Sequence, residues 1–411
     1  MSSENFNTLR ALLDSPERWS TILTLSRSPP SVEQLALVDP ASRSHIKHVS
    51  IDFSSSASEI KDALAKADVK ADYVFFYAYL QPKSESHGGM GVSLAKALYE
   101  TNVPLFGNFV TALELAEIKP RRILLQTVGK NYGIHIGRVR TPLVESDPQP
   151  RHLQTNFYYA QEDRLFEFCK KHPETKWNVI RPARIIGSAP RARMNTFYSF
   201  AIYAAIQARK GEPLKFNGDF DSCKFEPSHS SAILTGDLSE WVVLGDKCVN
   251  QAFNAQDCGN HSWDRFFEEV ARWFGVEKGV VGPEEGKDKF TVKEFAGGKD
   301  APLGYGPPTK LSTIFTLQEW FEDPTNKAEW KKIMAESAGR VTYDVSEGDA
   351  SIAMMGDFAY LTFGTLSMNK ARKHGWTGHV DFLESIFEMY QEMAFFGMLP
   401  SMEVTEPRPL V

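Results

Sequence analysis

Two residues in this sequence stand in positions where their chemistry could act together. Lys130 lies in the run Thr127-Val-Gly-Lys130-Asn-Tyr-Gly133, and Tyr158 in Asn156-Phe-Tyr-Tyr-Ala-Gln-Glu-Asp163. A phenol with an ordinary pKa of about 10 is a neutral hydrogen-bond donor at pH 7. A neighbouring ammonium lowers that pKa and favours negative charge on an oxygen between them, as on an enolate. A lone tyrosine or lysine would be read as a packing aromatic or a surface charge. The two motifs together point to an oxyanion-stabilising acid pair.

Those motifs must be held by a scaffold, and the first half of the chain supplies a regular one. Short apolar runs at Trp19–Leu25, His48–Phe53, Asp72–Tyr77, Arg122–Thr127 and Trp177–Pro182 read as strands buried on both faces. Helical patterns lie between them at 58–67, 91–99, 110–117 and 161–171. A helix that would start near Ala160 leaves Tyr158 just ahead of it. The alternation predicts an α/β, Rossmann-like, doubly wound parallel sheet, with ligands at the carboxyl ends of its strands. Lys130 follows one such strand end.

After Arg191 the pattern changes to aromatic helical segments at 196–208, 263–274, 317–335 and 382–398, with a Gly- and Pro-rich loop over 282–308. The expected organisation is a dinucleotide-binding domain over 1–190, to which part of 223–260 returns. A smaller, mainly helical substrate-binding cap covers 191–411.

An opening strand and Gly-rich phosphate loop are missing from this plan. The pattern from Asn5 to Leu13 is already helical, and no glycine precedes Gly88. Either the natural protein carries the loop and this sequence lacks it, or the loop is lost and cofactor binding with it. Arg27, just past a strand end, suits a ribose 2′-phosphate, and Asp52 a base-edge contact. A loop arginine and a turn-forming aspartate are the plain alternatives.

Taken together, the motifs resemble the progesterone 5β-reductase and iridoid synthase group, an atypical branch of the extended short-chain dehydrogenase/reductases. The resemblance includes Arg181-Pro-Ala-Arg-Ile-Ile-Gly187, Gln251-Ala-Phe-Asn254 and the run from Leu366 to Gly378. Tyr158 plus four is Glu162, so the usual Tyr-x-x-x-Lys of the superfamily is absent, and Lys130 matches the lysine this branch takes from a separate loop. The resemblance implies NADPH-dependent 1,4-reduction of an enone or enal, with Tyr158 and Lys130 catalytic. It also implies Thr127, Ile185 and Gly187 at the cofactor, and a place in secondary metabolism. Arg184 stands where members of the group carry Asn.

Phe157, Phe197, Tyr198, Tyr203, Met354 and Phe358 are candidate walls of an apolar pocket, with core packing as the alternative. A small apolar carbonyl compound is the expected substrate, and the branch includes homodimers. The same acid pair without the dinucleotide would suit an isomerase, cyclase or dehydratase, and without turnover a ligand-binding pseudoenzyme.

Composition narrows the remaining classes. The 411 residues carry a net charge of −6, which argues against nucleic-acid and polybasic membrane-surface binding. Cys169, Cys223, Cys248 and Cys258 show no CxxC spacing, which fits a reducing compartment, and a cytoplasmic location is expected. No apolar run is long enough to span a bilayer. His135, His229 and His261 are isolated, so no metal site is expected. Ser230 and Ser231 lack the Gly-x-Ser-x-Gly elbow of a hydrolase.

Overall fold

The computed structural model describes residues 1–82, 92–190, 195–257, 259, 261–347, 356–361 and 364–409. They form two units. One joins Met1–Ala183, Ala232–Gln256 and Leu366–Gly378; the other joins Arg184–Ser231, Asp257–Thr365 and His379–Val411. This division assigns 184–190 to the second unit and returns 366–378 to the first.

The first unit alternates helix and strand in chain order: α1 (Ser3–Leu13), β1 (Ile22–Ser26), α2 (Val32–Ala36), β2 (Ile46–Ser50), α3 (Ala57–Lys66), β3 (Tyr73–Phe76), α4 (Val92–Leu115), β4 (Arg122–Gln126), α5 (Phe157–Lys171) and β5 (Lys176–Pro182). β3, β4, β5 and the strand Gln251–Ala255 form a four-stranded parallel sheet, in register at Tyr73 with Arg122, Arg122 with Lys176, and Asn178 with Gln251. β1 and β2 pair with each other, also in parallel, but not with that sheet.

The break falls between β1 and β3. In the doubly wound strand order that is the position of the opening strand, and no strand lies there among the described residues. Side chains bridge the break. Trp19 meets Tyr73 and Phe75 edge-on at 5.2 and 6.0 Å, and Leu23, Leu25 and Val49 share one core with Val74 and Phe76. Helix α1 buries Phe6, Leu9 and Leu13 with Ile22 and Ile46 beside them. It lies so close to the helix Ala232–Leu244 that a Cβ on Gly236 would sit 3.0 Å from Asn7 O and Thr8 Cα.

Four local expectations are corrected. The separate helices expected at 91–99 and 110–117 are one helix, α4, which runs through Pro104. Proline removes one intrahelical hydrogen bond. Asn102, fully buried, anchors the same turn by accepting from Leu80 N (2.8 Å) and donating to Leu80 O (2.9 Å). Inside the expected loop 282–308, Thr291–Glu294 is a strand, antiparallel to Lys310–Thr313. All four of its residues are exposed, so no inside–outside alternation marks it. The third correction is the start of α5, taken up below.

The second unit carries a parallel pair of short strands, Ile185–Ile186 with Ser230–Ser231. Around them pack the helices Thr196–Lys210, Trp263–Trp273 and Phe382–Phe395. The expected helix 317–335 is two, Leu317–Glu322 and Pro324–Glu336, because Pro324 begins the second. The core is aromatic: Phe197, Phe200, Trp263, Phe266 and Phe382 meet at ring-centroid distances of 5.5 to 6.3 Å. No described helix is long and apolar enough to cross a membrane.

Candidate active site

The buried Thr127 directly follows β4, and its N–H donates to Ile180 O at 2.9 Å. A short 3-10 turn, Gly129–Tyr132, follows, closed by Gly133 at φ 78°. Gly129 permits a close approach: a Cβ there would lie 2.8 Å from Ile134 Cδ1. This turn sets Lys130 at the carboxyl edge of the sheet.

The second segment arrives from Gln154. Asn156 caps α5, its Oδ1 accepting from Tyr158 N at 3.0 Å. Capping by asparagine starts the helix at Phe157, earlier than the periodicity of 161–171 suggests, so Tyr158 stands on the first turn rather than ahead of it. The same side chain donates from Nδ2 to Lys130 O at 2.9 Å. One asparagine thus ties the lysine turn to the tyrosine helix.

Both side chains are half-buried and unengaged. Among the described residues none hydrogen-bonds to or pairs with the Lys130 ammonium, and none hydrogen-bonds to the Tyr158 hydroxyl. Burial lowers the Lys130 pKa. The Tyr158 phenol departs from the sequence expectation: its pKa is raised, first by burial and then by Tyr79 and Glu4. Lys130 instead acts on His135, whose pKa burial and that ammonium bring down to about 4. Tyr158 packs on Phe157 (4.1 Å), which packs on Tyr79 (5.9 Å).

Beneath this edge lies a polar network that the sequence reading did not identify. Glu162 Oε1 accepts from Asn131 Nδ2 (2.6 Å) and Arg181 Nη2 (3.2 Å), and its Oε2 from Gln149 Nε2 (2.8 Å). Arg181 Nη1 donates to Tyr132 OH (3.3 Å), which donates to Asn254 Oδ1 (2.6 Å). Asn254 Nδ2 donates to Leu143 O and Ser367 O, each at 3.1 Å. Side-chain exposure is 3% for Glu162 and 7% for Arg181, so this is a buried ion pair. Burial opposes the Arg181 charge, but Tyr132 and Glu162 outweigh it and raise its pKa. Each motif quoted in the sequence contributes a member. Asn156, an Asn two residues before the tyrosine, was the readable helix-cap signal.

The other expected site residues divide between the units. Arg27 and Asp52 are exposed at adjacent strand ends. The Asp52 carboxylate accepts from Ser54 N (2.9 Å) and Ser54 Oγ (2.6 Å), which lower its pKa, as does the charge of Arg27. Asp52 is therefore a turn former that also faces Arg27. Ile185 and Gly187 belong to the second unit, where Gly187 O accepts from Asn195 Nδ2 at 2.9 Å.

Three pocket candidates are core residues instead. Phe197, Tyr198 and Tyr203 are buried, with Tyr198 OH donating to Met398 O (2.9 Å) and Tyr203 OH to Lys215 O (3.1 Å). An aromatic face on a helix buried on all sides packs inward. Phe358 is half-buried under Lys293 (5.2 Å), and Met354 lies outside the described residues. His229 and His261, isolated in sequence, are neighbours with ring centroids 4.8 Å apart. Among the described residues no group of three His, Cys, Asp or Glu could hold a metal ion.

Residues 17–297 match the model of the PRISE-like Rossmann-fold domain. The chain belongs to that family. The fold class and the resemblance read from the motifs are thereby shown. Proteins similar to this chain carry dehydrogenase, reductase and enol synthase names. A short chain dehydrogenase, gsfE, of Penicillium aethiopicum is 28% identical over 93% of this chain and 92% of its own. An (S)-8-oxocitronellyl enol synthase of Nepeta racemosa is 29% identical over 75% and 72%. A 3-oxo-Delta(4,5)-steroid 5-beta-reductase of Arabidopsis thaliana is 29% identical over 58% and 60%.

A nicotinamide dinucleotide fits the described residues of the first unit at two places. Arg27 offers an exposed guanidinium beyond β1, and Thr127 Oγ1 is a buried polar atom without a partner at the end of β4. One group opposes it: Glu4, in the first turn of α1, brings negative charge within range of Tyr77 and Tyr158.

Proposed function

We propose that this protein is an NADPH-dependent ene-reductase, carrying out 1,4-reduction of the activated C=C of an apolar enone or enal. The observation that carries this reading is the pair of half-buried, unengaged donors, Lys130 and Tyr158, joined through Asn156. The names of the steroid reductase and the oxocitronellyl enol synthase among the relatives support the same chemistry.

The dinucleotide, when bound, supplies a hydride to the β-carbon of the substrate. Arg27 would hold its 2′-phosphate, and Thr127 a polar group near the reacting end. As electron density moves to the carbonyl oxygen, Tyr158 donates a hydrogen bond to it. The raised phenol pKa keeps that donor protonated at neutral pH. Lys130 supplies positive charge in the same desolvated region, where low polarity strengthens its effect on a developing enolate. A proton from solvent then adds to the α-carbon of the enolate, completing the 1,4-reduction.

The test is NADPH consumption with a panel of α,β-unsaturated ketones and aldehydes. Tyr158→Phe is expected to lower kcat on the order of 10²- to 10³-fold; unchanged turnover would refute the mechanism. A second reading, isomerisation or cyclisation without the dinucleotide, is favoured by the negative charge of Glu4 beside Tyr158. Turnover in the absence of NADPH, with no NADPH binding by calorimetry, would select it.

A further inference from the structure

Two hydrogen bonds lock the lysine turn to the segment that leads into α5. Asn156 Nδ2 to Lys130 O is one. The other joins His135 Nε2 to Gln154 Oε1 at 2.8 Å. A carbonyl oxygen only accepts, so Nε2 carries the proton of the neutral ring. Nδ1 is then a lone pair, buried and without a partner. His135 stands just past the Gly133 turn, where Ile136 N donates to Gly133 O at 2.9 Å. The ring is thus fixed at its peptide by a tight turn and at its edge by Gln154, within the field of the Lys130 ammonium.

We propose that His135 is a positioning residue for Lys130 and Tyr158: a neutral imidazole that fastens the 129–136 turn to the 154–156 segment and leaves its Nδ1 as an acceptor near the lysine. Lys130 is the charged group that acts on this ring, and Gln154 is its hydrogen-bond partner. The ring remains uncharged, so Lys130 stays the cation of the site. A polar acceptor nearby moderates the desolvation that lowers the lysine pKa.

The kinetic half of the test rests on the reductase reading; the titration half does not. In protein labelled at histidine Cε1, the His135 resonance is expected to titrate with a midpoint near 4 and to move to higher pH in Lys130→Met. A midpoint near 6.5, or one unmoved by that substitution, would overturn the proposal even if no substrate were ever found. With a substrate in hand, His135→Phe should lower kcat on the order of 10- to 100-fold with little change in KM. It should also shift the basic limb of the pH profile to lower pH. His135→Gln, which keeps a donor for Gln154 and an acceptor, should restore both. Equal behaviour of the Phe and Gln variants would refute a positioning role. Should His135→Phe not fold, Gln154→Leu breaks the same tie, and retention of full kcat there would also count against it.

Discussion

Within the first unit, the polar network around Glu162 and the edge formed by Lys130 and Tyr158 are neighbours in sequence and opposites in chemistry. In the network, Glu162, Arg181, Asn131, Tyr132 and Asn254 each hold at least one side-chain partner within 3.3 Å. At the edge, an ammonium and a phenol have none among the described residues. The contrast separates what frames the site from what is left available for a substrate.

The comparison breaks most sharply at Arg181. Arg181→Met leaves Glu162 buried without its cation, and chemical denaturation should show a loss of about 3–5 kcal/mol. By contrast, Tyr158→Phe removes a hydroxyl with no partner, so the large loss of kcat predicted above should come with an unfolding midpoint close to the parent's. A stability loss as large as that of Arg181→Met would place Tyr158 in the frame instead.

A smaller effect tests the boundary between the two regions. His135 has a folded pKa near 4, below the ordinary value of 6.5. The unfolded chain therefore binds the proton first, and stability is lost as pH falls from 6.5 toward 4. The slope from this ring is at most about 1.4 kcal/mol per pH unit. His135→Gln should flatten that part of a stability–pH curve. Smallest of all, Asn156→Ala removes a helix cap worth about 1 kcal/mol. Because the same side chain holds Lys130 O, its loss of kcat should exceed what its modest destabilisation explains.

Much of the frame was legible in the chain. Strand β4 carries the continuous apolar run Ile123–Leu125, and burial on both faces writes that pattern directly into sequence. Lys130 and Tyr158 stand out as candidates because each lies in a distinctive run. The start of α5 was less so, since a cap is one residue and periodicity needs several. The exposed strand Thr291–Glu294 left no pattern because neither face is buried. Tyr198 and Tyr203 were ambiguous because an aromatic stripe looks the same whether it lines a pocket or a core; only their bonds to Met398 O and Lys215 O decide it.

The sequence by itself determined the parallel α/β order and the family, and it singled out Lys130 and Tyr158 as candidates, because these readings depend on local periodicity and on residues close together in the chain. Tertiary structure decided which groups share a field. It raised the Tyr158 pKa through burial, Tyr79 and Glu4, put His135 within the field of Lys130, and brought His229 and His261 to 4.8 Å. Desolvation and Coulomb interactions depend on distances through space, and spacing along the chain does not fix those.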